Sequence, residues 1–588
     1  MSTAWPTSAW SMNERWHERW QLVKRVVEAR GGTLRKYSFF EDIWRAIGEG
    51  ARLLLVRAPT GSGKTEAVFA PFAHPLATGE ASPWLSMIYA LPTRSLVFAM
   101  ARRLSKALIA CGVTRATVTV NYGGLLTITP FLEGDVAVTT YDTMLYAFYG
   151  AHVPGYHVLL PMSKILGSLV VLDEIQLLQD VYWYGLSILP YHVGNLLRFG
   201  ANVVVMSATI PSILSEDLLR SKVKGEVEEV VSKDRPARGS LKVEVVESTL
   251  PEGRELAELV RAEVEGQGLF PALIIVNTVE KAVKVYSSLL DSGLDVKPLL
   301  LHSRLRVGAR RKVEELFERE DLKRERVVLV ATQVVEAGLD LDARMLLTEL
   351  SPVDSLIQRL GRCARRSNGR AIVFTDPGGG RYIYPEELLE RTGELVRGEG
   401  EGIAEAVSSV EVAQELVDEV YSHDVVDGLR RRVEEKISEV KKLIAYTFPS
   451  TLFSAGTRKK VRAEPLLRLG AELNCLYVVG ESYERLLKCE KVQMPTSELS
   501  DRIVRLTVGG QEVPACILHR IGEAEKVVVL EMRLGGDWVE LSPRQVDYPE
   551  LPQYLLGGEL FLLNSDSYEI YRSQELGVVK CKYPSAKR

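Results

Sequence analysis

The sequence predicts an α/β protein built from two tandem parallel-sheet domains, and three observations predict it. Short apolar segments alternate with helical stretches from residue 53 to residue 376. A glycine-rich loop, APTGSGKT, occupies residues 58–65 near the start of that rhythm. A paired-arginine run, QRLGRCAR, occupies residues 358–365 near its end. The expected divisions are an aromatic-rich extension at 1–48, a first α/β domain at 49–235 and a second at 236–384. A helical connector at 385–460 and a small β-rich accessory domain at 461–588 complete the chain.

Residues 1–48 hold five of the eight tryptophans, Trp5, Trp10, Trp16, Trp20 and Trp44. Trp16 and Trp20 are four residues apart, so one helical face buries both. A packed N-terminal helix is expected there; the alternative is an aromatic lip over a nucleotide base from Tyr37, Phe39 or Phe40. In the first domain the strands are LLLV (53–56), SMIYAL (86–91), DVAVTT (135–140), SLVVLDE (168–174) and ANVVVMSAT (201–209). Continuous apolar, β-branched runs bounded by polar turns fit a parallel sheet covered on both faces. SKDRPARGS (232–240) is charged and rich in turn formers, and reads as a linker. The rhythm restarts with LKVEVVES (241–248), ALIIVNT (272–278), VKPLLLHS (296–303), RVVLVAT (326–332), MLLTEL (345–350) and AIVFTD (371–376). Residues 385–447 are charged, with apolar residues at helical spacing. Beyond 461 the pattern alternates, as in RIVRLTVGG (502–510) and KVVVLEMRLGG (526–536).

Bulk properties narrow the function classes. The 588 residues are 46% hydrophobic and 26% charged, the composition of a globular protein. A net charge of −4 supplies no global basic field, so any nucleic-acid site must be a local groove. The six cysteines include no C-x-x-C pair, which argues against a zinc site or a disulfide framework and suits a reducing cytoplasm. No apolar run reaches membrane-spanning length, so no membrane partner is expected. Asn and Gln number only 8 and 12, a thermophile-like composition.

The chemistry concentrates at strand ends. Thr60, Gly61, Ser62, Gly63, Lys64 and Thr65 lie between a strand and a helix. Glycines let backbone N–H groups approach phosphates, and the helix N-terminus adds partial positive charge. Lys64 would reach the β and γ phosphates of ATP, and Thr65 would hold Mg²⁺. The strict pattern has Gly where this chain has Ala58. Asp173-Glu174-Ile175-Gln176 closes a strand beside that loop. Asp173 would hold Mg²⁺ through water, and Glu174 would orient and deprotonate the attacking water. In the second domain Gln358, Arg362 and Arg365 would stabilise charge developing on the γ-phosphate. Thr332, Gly338 and Asp340 precede them in a strand-to-loop turn of the kind that couples nucleotide and strand sensing. Ser207, Ala208 and Thr209 end a strand between these groups and, with Gln176, are coupling candidates. Pro92, Thr93, Arg94 and Thr140 on the first sheet, with Asn277, Ser303, Arg304 and Thr332 on the second, are candidates for gripping the backbone of a single strand. His423-Asp424 is an isolated pair and not a metal cluster, and the first 57 residues contain one histidine, His17. No fused nuclease is therefore expected.

In order, these motifs read AxxGxGKT, PTR, TTYD, DEIQ, SAT, TQVVEAGLDLD and QRLGRCARR. Across roughly residues 50–380 the chain resembles superfamily 2 helicases. Residues 332–362 narrow the resemblance to the CRISPR-associated helicase of type I interference. DEIQ stands where that family typically carries a DExH box. The resemblance implies two RecA-like domains, ATP and Mg²⁺ as cofactors, and 3′-to-5′ movement on single-stranded DNA. It also implies recruitment by an RNA-guided surveillance complex. Most members carry an N-terminal HD nuclease, so this chain is similar to the split form, which works with a separate HD-type nuclease subunit. An RNA helicase or remodeller shares the core motifs and stays open, because the 2′-hydroxyl contact that separates RNA from DNA leaves no mark in the sequence. A catalytically dead binding scaffold is the third reading, and the intact Lys64, Asp173, Glu174, Gln358, Arg362 and Arg365 argue against it.

Overall fold

The computed structural model describes residues 12–59, 61–121, 131–150, 159–219, 227–317, 325–336, 341–398, 400–447, 466, 470–509, 515–521, 524–535, 537–547 and 560–579. Among them, the first lobe is a seven-stranded sheet of β1 (Leu53–Arg57), β2 (Met87–Leu91), β3 (Val118–Asn121), β4 (Val136–Thr140), β5 (Leu169–Asp173), β6 (Asn202–Ser207) and β7 (Val227–Val231). Their order is β3-β4-β2-β5-β6-β1-β7, with every pairing parallel. All five expected strands are present. The two that the sequence did not announce, β3 and β7, are the sheet's edges. An edge strand is covered less completely, so its sequence need not be a continuous apolar run. VTVN and VEEVV keep polar residues, and most of their positions are exposed or half-buried.

The second lobe is a six-stranded parallel sheet of β8 (Leu241–Val246), β9 (Ala272–Ile275), β10 (Lys297–Leu301), β11 (Val327–Ala331), β12 (Met345–Glu349) and β13 (Gly369–Phe374). The order is β10-β11-β9-β12-β13-β8. Every residue of β1, β2, β4, β5, β9, β11 and β12 is buried. That burial is why parallel strands sandwiched by helices read as near-continuous apolar runs.

Residues 386–447 form helices Glu386–Gly398, Gly400–Ala406, Val410–Val420 and His423–Thr447, as the apolar spacing predicts. They strap the lobes together. Toward the first lobe, Gln414 Oε1 accepts from Arg57 (2.5 Å), and Asp418 accepts from both the N–H and the hydroxyl of Ser212 (2.7 and 2.6 Å). Toward the second, the Tyr421 hydroxyl donates to Asp354 Oδ1 (2.6 Å) while its ring stacks on Trp183 of the first lobe, with centroids 6.1 Å apart.

The C-terminal region carries a mostly antiparallel sheet whose long strands, Ala524–Gly535 and Trp538–Asp547, pair along their length. A final hairpin, Tyr568–Tyr571 with Gln574–Val578, packs back onto the second lobe. Cys516 is disulfide-bonded, against the expectation from cysteine spacing. The spacing rule reads C-x-x-C clusters and paired frameworks, and a crosslinked cysteine outside such a pattern leaves no mark in it. Trp5 and Trp10 lie outside the described residues. Trp20, Phe40 and Trp44 are buried, with Trp20–Phe40 and Trp20–Trp44 centroids each 5.0 Å apart. Phe39 and Phe40 are 1% and 2% exposed, so they are core and not a lip; of the three lip candidates only Tyr37 is partly exposed.

Candidate active site at the lobe interface

The strand order sorts the motifs. β5, β6 and β1 are neighbours, so the DEIQ, SAT and glycine-loop segments emerge side by side. β2 and β4 lie on the far side of β5, so the PTR and TTYD segments emerge together away from the glycine loop. Leu91 and Thr140 are register partners there. On the second sheet Leu301 pairs with Ala331, which sets the HSR and ATQ turns beside each other.

After β1 the loop passes Gly61 (φ 83°) and Gly63 (φ 90°), both left-handed, and Gly63 caps the helix Lys64–Thr78. A Cβ on Gly63 would lie 2.9 Å from the Phe40 ring, and one on Gly61 would lie 3.2 Å from Arg365 Nη2. Glycine is therefore required at both positions by backbone angle, and at Gly63 by space as well. Thr60 lies outside the described residues. Ser62 Oγ donates to the Pro59 carbonyl (2.8 Å), and Lys64 Nζ donates to the Ala58 carbonyl (2.7 Å). Burial lowers the Lys64 pKa, and the charges of Glu174 and Asp173 oppose that fall.

Asp173 ends β5, and Glu174 follows in the left-handed region at φ 57°. A non-glycine residue held there costs of order 1–3 kcal/mol and is found where the surroundings over-determine it. The Glu174 N–H donates to Asp173 Oδ1 (3.0 Å), and the Tyr89 hydroxyl donates to Asp173 Oδ2 (2.6 Å). Tyr141 adds a hydroxyl bond to the Asp173 carbonyl. Burial, then the neighbouring Glu174 charge, push Asp173 up to about 6, and Lys64 pulls it down. Thr65 Oγ1 is 3.5 Å from the Tyr89 hydroxyl.

From Glu174 a line of hydrogen bonds crosses to the second lobe. Gln176 Nε2 donates to Glu174 Oε2 (2.5 Å), and Ser207 Oγ donates to Gln176 Oε1 (2.5 Å). Ser207 Oγ accepts from the Thr209 N–H (3.1 Å), and Thr209 Oγ1 accepts from Gln358 Nε2 (3.5 Å). A small cleft lined by Pro59, Ala208, Thr209, Gln358 and Gly361 lies at this crossing. Gln358 and Arg359 lie in the last turn of the helix Val353–Leu360, and Arg362 and Arg365 follow it. Arg362 is buried with a guanidinium bond to the Glu336 carbonyl, and its charge contributes to lowering the Lys64 pKa. Arg365 is half-buried against Gly61, and its backbone N–H donates to Asp342 Oδ1 (2.8 Å). The structure thus brings Lys64, Thr65, Asp173, Glu174, Arg362 and Arg365 to one place. A lysine, a helix N-terminus, a hydroxyl, two carboxylates and two arginines fit a nucleotide triphosphate with a divalent cation. Gly338 and Asp340 lie outside the described residues.

Residues 270–368 match the family described as CRISPR-associated nuclease/helicase Cas3, C-terminal, and residues 41–216 match DEAD/DEAH box helicase. The CRISPR-associated helicase Cas3 of Thermoproteus tenax is 30% identical over 444 residues, covering 70% of this chain and 70% of its own. The chain belongs to the Cas3 family of helicases. The CRISPR-associated endonuclease/helicase Cas3 of Thermus thermophilus is 28% identical, covering 55% of this chain and 44% of its own. The chain therefore spans a little under half of that longer relative. The crystal structure of T. fusca Cas3-AMPPNP superposes with a TM-score of 0.61 at 20% identity, covering 84% of this chain and 66% of that one, which shows a shared fold.

Against this Cas3 frame, the strand-path candidates separate. Thr93 and Arg94 are half-buried at the start of the helix Arg94–Ala110, and Pro92 beside them is buried. Thr140 caps the helix Tyr141–Phe148 by accepting from the Thr143 N–H, and is only 7% exposed. Ser303 is exposed, Arg304 pairs with Glu280 (2.7 Å), and Thr332 is 3% exposed. Asn277 is corrected: its side chain does not face a groove. It is 1% exposed, donates to the Leu350 and Pro377 carbonyls (2.8 and 2.9 Å), and accepts from Arg359 (2.9 Å). Every side-chain donor and acceptor direction it needs is committed inside the lobe.

Arg359 is a residue that sequence reading passed over. It is fully buried, pairs with the buried Glu336 (2.8 Å), and also bonds Thr348 Oγ1, the Glu349 carbonyl, Asn277 and the Tyr384 hydroxyl. Removing one partner of such a pair costs about 3–5 kcal/mol, because the other charge is left buried alone. Glu336 also supplies the carbonyl that Arg362 holds, so this pair sets the position of a site arginine. In sequence Arg359 reads as one more cation on a basic helix, and its partners come from four distant segments. Tyr89 was also missed, although a tyrosine inside a buried strand signals a hydroxyl in need of a partner.

Proposed function

We propose that this chain is an ATP-driven translocase on single-stranded DNA that unwinds target DNA during type I CRISPR interference. The observation that carries the reading is Arg365 of the second lobe set against Gly61 of the first-lobe loop, where hydrolysis would need positive charge. Backbone N–H groups of Gly61, Ser62 and Gly63, with Lys64, hold the phosphates. Thr65 and Asp173 hold Mg²⁺, which when bound neutralises phosphate charge. Glu174 takes the proton of the attacking water, and Arg362 and Arg365 steady the charge on the transferred group. Gln176, Ser207, Thr209 and Gln358 report the state of the Glu174 side to the second lobe through their hydrogen-bonded line.

Thr93, Arg94, Ser303 and Arg304 take phosphates and sugars of the strand, with Pro92, Thr140 and Thr332 shaping the strand-end turns beneath them. The movement is 3′-to-5′, and recruitment is by an RNA-guided surveillance complex. A structure of a CRISPR RNA-guided surveillance complex, pre-nicking, contains a chain of similar fold, with a TM-score of 0.50 and 22% identity. Cleavage is assigned to a separate HD-type nuclease subunit. The Thermoproteus tenax relative is named a helicase, whereas the longer Thermus thermophilus relative is named an endonuclease/helicase. Among the described residues no helix is long and apolar enough to cross a membrane.

The strand path is tested by Arg94→Ala. Affinity for a single-stranded oligonucleotide should fall for every sequence alike, and the slope of log affinity against log salt should shrink by about one contact. Binding of mant-ATP should be unchanged. A variant that loses nucleotide binding and keeps strand affinity would place Arg94 in the ATP site instead.

A further inference from the structure

Tyr89 lies on β2, which runs between β4 and β5, and it is 0% exposed. Its hydroxyl donates to Asp173 Oδ2 (2.6 Å) and stands 3.5 Å from Thr65 Oγ1. Asp173 Oδ1 accepts from the Glu174 N–H (3.0 Å). The carboxylate is thus held at both oxygens, one by its own chain and one by Tyr89. A carboxylate oxygen has further lone-pair directions, so this grip fixes its orientation without consuming its capacity to face a hydrated cation. The Thr65 side is supported from the same region. Arg103, on the helix Arg94–Ala110, donates to both oxygens of Glu66 (2.7 Å each from Nη2, 3.2 Å from Nε), and Arg30 adds a further bond (2.8 Å). Glu66 follows Thr65 directly on the loop helix. Tyr89 and Arg103 flank the Pro92–Arg94 turn, one on the strand entering it and one on the helix leaving it.

We propose that Tyr89 is a positioning residue for the divalent cation: its hydroxyl orients the Asp173 carboxylate toward the ion that Asp173 and Thr65 share. This rests on the reading above in which those two residues hold Mg²⁺. Groups that orient metal ligands typically cost 10–100-fold in metal affinity when removed. Tyr89 contributes through a single hydroxyl, so Tyr89→Phe removes that contact and leaves the ring packing.

The test is mant-ATP fluorescence on the full chain, titrated with Mg²⁺. Tyr89→Phe should raise the Mg²⁺ concentration for half-maximal enhancement of nucleotide affinity by about 10–100-fold, with affinity in excess chelator unchanged. The double variant Tyr89→Phe/Asp173→Asn should match Asp173→Asn alone, because Tyr89 acts through that carboxylate. A thermal melt confirms that each variant is folded at the assay temperature. An unshifted Mg²⁺ midpoint in folded Tyr89→Phe, or full additivity in the double variant, would overturn the proposal. A wild type whose nucleotide affinity ignores Mg²⁺ would overturn the metal reading itself, and the Tyr89 role with it.

Discussion

Arg365→Ala lowers ATP turnover by about 10³–10⁵, the range for losing an arginine that meets the transferring phosphoryl group. That corresponds to about 4–7 kcal/mol of transition-state stabilisation. The two site arginines are not equivalent. Arg362 is 4% exposed and tied to the Glu336 carbonyl, so part of its charge is spent holding its own lobe. Arg365 is half-buried and lies against Gly61, where a Cβ would be 3.2 Å from its Nη2. Its backbone N–H donates to Asp342 Oδ1. Mant-ATP affinity should change less than the rate, because the contact strengthens as charge develops. Arg365→Lys should rescue poorly, since an ammonium cannot reproduce the planar fork. A single-turnover rate for Arg365→Ala close to wild type would transfer the role to Arg362.

Glu174→Gln should retain nucleotide binding and slow hydrolysis by roughly 10²–10⁴, the usual contribution of a positioned general base. The substitution keeps size and a hydrogen-bonding oxygen, so the contact with Gln176 Nε2 survives and the left-handed backbone at this position is undisturbed. What is lost is proton acceptance. Measuring binding and turnover on the same preparation separates the two effects. Turnover near the wild-type rate would mean that another group deprotonates the water.

Most of the architecture was legible because parallel strands buried on both faces write themselves as apolar runs. The eleven strands expected in the two lobes all form, and β3 and β7 escaped because edge strands can keep polar residues. The glycine loop, DEIQ and QRLGR were legible because each depends on local spacing at a strand end. Function that depends on long-range packing was not. Arg359 and Asn277 sit in one buried network whose members are separated by up to 107 residues, Asn277 to Tyr384 through Arg359. Sequence therefore passed over the first and placed the second in a groove. Tyr89 is intermediate: its hydroxyl in an apolar strand was visible, but its partner Asp173 lies 84 residues away.

The most direct test of a motor that couples ATP hydrolysis to a single strand is the steady-state ATPase rate of the purified chain with Mg²⁺. It should be measured without nucleic acid, with single-stranded DNA and with single-stranded RNA of the same sequence. The account predicts a low basal rate, strong stimulation by DNA and weaker stimulation by RNA. A rate indifferent to both strands, or one raised by RNA alone, would contradict it.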